Sequence, residues 1–77
     1  MNLSEAKKGK VLIIESINFS LDEDLGIRLM HLGFLTNEHI SIVNQTPISH
    51  DAILVNIKGS QIALTKSEAK LINVKEN

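Results

Sequence analysis

Five runs of this chain are rich in β-branched and aliphatic residues, and none is longer than seven positions. They are Val11–Ile17, the stretch around Ile40 and Ile42, the alternating segment Ile53–Ile57, the start of a return strand at Ile62 and Leu64, and Leu71–Val74. Runs this short do not make packed helices, which usually need about ten residues or more. Ile40 and Ile42 oppose Ser41 and Val43, while Ile53, Val55 and Ile57 oppose Leu54, Asn56 and Lys58. That period of two predicts half-buried strands. Lys58-Gly59-Ser60-Gln61 predicts a tight hairpin turn with Gly59 at positive φ. The polar segment Asn44–Asp51 holds the only proline, Pro47, and predicts a loop.

One longer segment reads as a helix, expected over Leu21–Leu32. Ser20 and Glu23 have the spacing of a capping box, and Asp22, Glu23 and Asp24 place negative charge where the helix dipole favours it. Gly33 suits the left-handed position that ends such a helix. Ser4–Lys8, capped by Ser4 and stopped by Gly9, and Ser67–Lys70 predict single helical turns. The order is strand, helix, then four short strands. It reads as a mainly β fold, a small five-stranded barrel with one α-helix inserted after the first strand, closing its own edges. No linker or repeat divides the chain, so residues 1–77 form a single expected domain.

Composition narrows the function classes. With 43% apolar residues, 77 residues can bury a core, but such a small domain leaves little room for a deep catalytic cleft. The formal charge is −1 and the aromatics are Phe19 and Phe34 alone, so neither phosphate attraction nor base stacking favours nucleic acid. No cysteine is present, which excludes disulfides, thiolate metal sites and a cysteine nucleophile. Gly9-Lys10 is an isolated dipeptide without the glycines of a phosphate loop, and no local arrangement sets a serine beside a base. Neither an enzyme nor a cofactor is expected. The longest apolar runs have four residues, Val11–Ile14 and Ala52–Val55, against the ~20 that span a bilayer. Met1–Lys8 contains Glu5, Lys7 and Lys8 and no apolar stretch, unlike a secretory signal. The expected location is the cytoplasm.

The order and spacing of several short motifs resemble one family. Leu3-Ser4 with Gly9, Arg28-Leu29, Leu32-Gly33-Phe34, Ile40 and Ile42, and Pro47 are followed by Gly59, Ile62-Ala63-Leu64, Glu68-Ala69, and Ile72 with Val74. Together they are similar to the ferrous iron transport protein A (FeoA) family over nearly the whole chain. The resemblance implies an SH3-like barrel with a helix after the first strand. It also implies a small cytoplasmic accessory protein of bacterial ferrous iron uptake. Its partner would be FeoB, a large membrane protein with a cytoplasmic GTP-binding domain, which could recruit it to the inner face of the membrane. The chain departs from the family at Asn37, where glycine is usual. Asparagine is the next most tolerant residue for a left-handed turn. Thr65 and Ser60 replace an arginine and an aromatic that are common at those places.

A partner surface is expected around the helix. Leu21, Leu25, Arg28, Leu29 and Leu32 share one face, leaving Ile27 and Met30 on the other. Ile27 and Met30 either pack beneath a loop or form an apolar patch for a partner, a use to which methionine is suited. Arg28, in the apolar stripe, is expected to lay its stem on the core and give its donors to a carbonyl or acid, in preference to acting as a finger in GTP hydrolysis. Phe34 and Leu35, in the loop leaving the helix, complete the candidate set.

No preformed metal site is expected: His31, His39 and His50, with Glu38 and Asp51, lack the spacing of a ligand set. Lysines 7, 8, 10, 66, 70 and 75 read as solvated faces. Two other readings remain open at this stage. One is a peptide-binding SH3-like module, which normally needs the aromatic groove this chain cannot build without Trp or Tyr. The other is a metal-sensing domain.

Overall fold

The computed structural model describes residues 1–45 and 52–77, so most of the loop expected around Pro47, with His50 and Asp51, lies outside the described residues. Five strands form one antiparallel sheet: β1 (Val11–Ile17), β2 (His39–Gln45), β3 (Ala52–Ile57), β4 (Ser60–Thr65) and β5 (Ile72–Glu76), in the spatial order β4-β3-β2-β1-β5. A helix, α1 (Glu23–His31), follows β1, and one helical turn, α2 (Lys66–Ala69), joins β4 to β5. Mainly β architecture with one inserted helix is as the sequence predicts.

The alternation seen in the sequence becomes the core. Leu12 and Ile14 of β1, Ile40 and Ile42 of β2, Ile53, Val55 and Ile57 of β3, Leu64 of β4, and Ile72 and Val74 of β5 are all buried. Leu3, Leu29, Phe34, Ala69 and Leu71 fill the remaining space, with Ile17, Leu25 and Ile62 packed at the margin. Two register shifts, between Ile14 and Ser16 and between Ile42 and Asn44, interrupt the ladders. Bulges of this kind bend and twist a strand, which lets a five-stranded sheet curl around so small a core.

Closure differs in detail from a self-paired barrel. Among the described residues β4 and β5 are the two ends of the sheet and do not pair with each other. The N-terminal segment covers the outer side of β5: Asn2 bridges Asn73, and the Val74 amide donates to the Met1 carbonyl at 2.9 Å. α2 spans the gap between the end strands and buries Ala69.

Local signals explain the connections, with three corrections. The first turn is a 3₁₀ turn over Leu3–Glu5, capped by Asn2 rather than Ser4. The Asn2 side chain accepts from the Ser4 amide at 3.0 Å, and Glu5 Oε1 accepts from the Asn2 amide at 2.9 Å. α1 begins later than expected, because Asp22 and not Ser20 is its cap: Asp22 Oδ1 accepts from the Leu25 amide at 3.1 Å. Ser20 and Leu21 belong instead to a preceding turn, in which the Leu21 amide donates to the Asn18 carbonyl at 3.3 Å. α2 carries a capping box that the expected Ser67–Lys70 turn overlooks. Thr65 Oγ1 accepts from the Glu68 amide at 3.1 Å, and Glu68 Oε1 accepts from the Thr65 amide at 2.8 Å.

The helix end is as Gly33 predicts. Gly33 has φ +103°, its amide donates to the Met30 carbonyl at 3.0 Å, and the Phe34 amide donates to the Leu29 carbonyl at 3.1 Å. These two bonds make a Schellman motif, and its customary apolar contact is supplied by buried Leu29 and Phe34. A Cβ at Gly33 would meet nothing within 4 Å, so any cost of Gly33→Ala is backbone strain alone. We expect about 1–2 kcal/mol of lost stability, read from the urea midpoint, and a smaller loss for Gly33→Asn.

Asn37 takes φ 73°, the left-handed turn its position calls for. In the hairpin Ile57 pairs with Ser60, so the turn narrows to Lys58-Gly59, both at positive φ (52° and 77°) as a type I′ turn requires.

Candidate functional site

α1 touches the rest of the fold along a narrow arc. Gly26 and Leu29 are buried and Leu25 is half-buried, while the other helix residues are exposed. Gly26 is the point of closest approach: a Cβ there would lie 2.6 Å from the Phe19 ring and 3.3 Å from the Ile17 Cγ2. A glycine inside a helix costs roughly 1 kcal/mol relative to alanine, and the packing of Phe19 against it is the reason it stands here. Gly26→Ala is expected to push the Phe19 ring off the helix, read as changed NMR shifts of that ring and of the Ile17 methyl. The ring, not the backbone, is what must move.

This arc displaces two sequence expectations. It is centred nearer Gly26 than Arg28, so Arg28 is exposed instead of lying on the core. Among the described residues its guanidinium has no ion-pair or hydrogen-bond partner. Leu21 and Leu32, expected on the buried stripe, are exposed as well: Leu21 precedes the helix and Leu32 is its C-cap.

What remains outside is an apolar surface. Six of the eight exposed large apolar side chains among the described residues fall between positions 19 and 35. They are Phe19, Leu21, Ile27, Met30, Leu32 and Leu35, with exposures from 37% to 62%. Ile27 and Met30, three apart, are neighbours on one helix face, and Gly26, with Phe19 against it, is four residues before Met30. Asp22, Glu23 and Asp24 at one end and Arg28 toward the other rim this surface with opposite charges.

Of the five candidate partner residues, Ile27, Met30, Leu35 and Arg28 are therefore at the surface. Phe34 is not. It is fully buried, because the Schellman turn folds it back under Leu29, and its role is in the core. Sequence reasoning missed Phe19, Leu21 and Gly26 as parts of this region. The isolated helical glycine was the available signal.

Two other depressions among the described residues are open to solvent. An open depression of about 250 Å³ is lined by Val11, His39, Ile40, Ser41, Asn56, Lys58 and Gly59, and another of about 220 Å³ by Met1, Glu5, Ala6, Lys7, Lys10, Leu12 and Glu76. In the second, the Lys10 ammonium donates to Glu76 Oε1 at 2.8 Å. That hydrogen bond, and then the charge attraction, holds the Glu76 carboxyl below its ordinary range and Lys10 above its own. The carboxylate's contribution is present above its unfolded pKa and is lost as pH falls through the lowered value. Both groups are exposed and screened, so the pair stabilises little.

Among the described residues no three His, Asp or Glu side chains gather as a metal site would need. His31 and His39 are exposed, and Glu38 pairs with Lys58 at 3.3 Å. No helix among the described residues is long and apolar enough to cross a membrane.

Comparison with known proteins agrees with this architecture. The model of the FeoA domain matches residues 1–76. A zinc-complexed FeoA of Stenotrophomonas maltophilia, described as an SH3 domain protein and a candidate ferrous iron transport activating factor, is 30% identical. The match covers 97% of this chain and 89% of that one, with a TM-score of 0.84. Iron(II) transport protein A of Clostridium thermocellum is 33% identical over 99% of this chain and 45% of that one, also at 0.84. A FeoA-like protein of Clostridium acetobutylicum is 25% identical over 99% and 85%, at 0.87. Among curated protein sequences none matches.

Proposed function

The chain belongs to the FeoA family, and from that premise we propose that it is a non-enzymatic accessory protein of ferrous iron uptake that docks on the cytoplasmic part of the FeoB transporter. The observation that carries this reading is the apolar surface of Phe19, Leu21, Ile27, Met30, Leu32 and Leu35 around α1. An exposed patch with a charged rim is the form protein-docking sites take. The description of the Stenotrophomonas relative as a candidate ferrous iron transport activating factor supports the same role.

Docking alone changes nothing in the transporter. To act, the protein must bind one FeoB state more tightly than another and so shift their populations. Iron is then the cargo of the partner, and this chain supplies a surface. The small core leaves the α1 face free for that use, because among the described residues the helix and its exit meet the barrel through Leu25, Gly26, Leu29 and Phe34.

The test is a titration of isotope-labelled protein with the soluble cytoplasmic domain of its cognate FeoB, without nucleotide, with GDP and with a GTP analogue. Amide shifts clustered between residues 19 and 37, with an affinity that depends on nucleotide, are the expected result. No shift in any nucleotide state, or shifts confined to the far strands, would overturn the proposed docking face.

A further inference from the structure

The two ends of the sheet are treated differently. β5 carries Lys75 and Glu76, and its outer side is covered by Met1 and Asn2. β4 has the sequence Ser-Gln-Ile-Ala-Leu-Thr, with no charge, no proline and an unbroken register against β3. Charge, proline and a bulge are devices by which proteins blunt an open edge, and β4 has none of these three; α2 follows at its Thr65 end.

Its outward hydrogen-bonding groups can be named. Because Ile57 and Ser60 flank a two-residue turn, they form a hydrogen-bonded pair, and so do Val55 with Ile62 and Ile53 with Leu64. The intervening residues Gln61, Ala63 and Thr65 therefore turn their N–H and C=O groups away from β3. The Thr65 amide shows this directly, since it donates to Glu68 Oε1 and not to the ladder. Thr65 is thus spoken for, and the open groups are those of Gln61 and Ala63, both exposed residues.

We infer that β4 pairs antiparallel with β4 of a second copy of this chain, about a two-fold axis at Ile62. That register sets Gln61 opposite Ala63 of the copy and Ala63 opposite its Gln61. All four outward N–H groups then find carbonyls, which is every open donor on the two edges. Ile62 faces its own counterpart in the closely spaced, non-hydrogen-bonded position, where its half-exposed side chain gains an apolar neighbour. An uncharged strand meets itself without repulsion. Lys58, beyond the strand end, is held by Glu38, and Lys66 starts α2, so the remaining like charges sit outside the paired segment. The α1 surface has no part in this contact, and the pairing stands whether or not FeoB docks there.

Sedimentation of the whole chain over rising concentration tests it, together with amide hydrogen exchange. The expected result is a mass that climbs from that of the 8.5 kDa monomer toward the dimer, with new protection at the amides of Gln61 and Ala63. Ala63→Pro removes an outward donor on each copy without touching the β3 ladder. It should weaken association by roughly tenfold or more. Ala63→Lys, which leaves the backbone as it is, should do the same through repulsion and guards against a proline that perturbs folding. Since the natural chain has no cysteine, Ile62→Cys adds a third reading: the axis brings the two thiols to disulfide distance, so oxidation should yield a covalent dimer. A monomer up to about 1 mM, or a dimer unaffected by both Ala63 substitutions, would overturn the inference.

Discussion

Replacing Phe34 by alanine is expected to leave the protein largely unfolded at physiological temperature. Phe34 is fully buried and is the largest such side chain in the core. Truncating a buried phenylalanine typically costs about 3–5 kcal/mol, the transfer term plus the cavity left behind. A domain of this length holds roughly 4–12 kcal/mol in total. The loss is also structural, since the apolar contact with Leu29 that seals the Schellman turn goes with the ring. A drop of roughly 15 °C or more in the melting midpoint should be seen by calorimetry. Phe34→Leu keeps most of the volume and should lose far less. If Phe34 were a surface contact for a partner, alanine would leave the melting curve in place and weaken binding only.

That residue marks the boundary of what the sequence makes legible. The strands were readable because alternation is forced by the pleat, so Ile53, Val55 and Ile57 could only share one face. Gly33, Asn37 and Gly59 were readable because left-handed backbone selects very few residue types. The cap of α1 was not, since Ser20 and Asp22 are equally good caps and local chemistry does not choose between them. The choice falls to packing, which needs Gly26 against Phe19 and Leu29 over the core. The same packing rotates the buried arc away from Arg28. Phe34 misled for a related reason: a loop position after a helix reads as surface, yet the bonds at Gly33 and Phe34 turn the chain inward. Closure of the sheet by Met1, Asn2 and α2 joins residues far apart in sequence, and no local period records it. The candidate partner surface was half legible, since Ile27 and Met30 stood out by helical spacing, whereas Phe19 and Leu21 belong to no periodic pattern.

The double substitution Ile27→Lys with Met30→Lys is expected to abolish binding to FeoB while leaving the fold intact. Both side chains are already more than a third exposed, so the core loses little. Lysine is the better probe than aspartate on this helix. At position 27 it stands four residues after Glu23, the favourable order for an ion pair, whereas a second acid there would face Glu23 with like charge. At position 30, in the last turn, a cation also suits the helix dipole. Stability should therefore stay within about 1 kcal/mol, measured by urea unfolding. In a docked complex the two ammonium groups would have to be desolvated where apolar contacts were made, and central contacts of this kind are worth about 2 kcal/mol or more each. The dissociation constant should rise by at least about two orders of magnitude. Val11→Lys provides the control, because Val11 is as exposed as these residues but lies at the start of β1, outside the α1 surface. Loss of binding in both variants would point to a general effect of added positive charge, and loss in neither would place the docking site elsewhere. Loss in the α1 variant alone, with an unchanged melting curve, is the outcome that a docking helix requires.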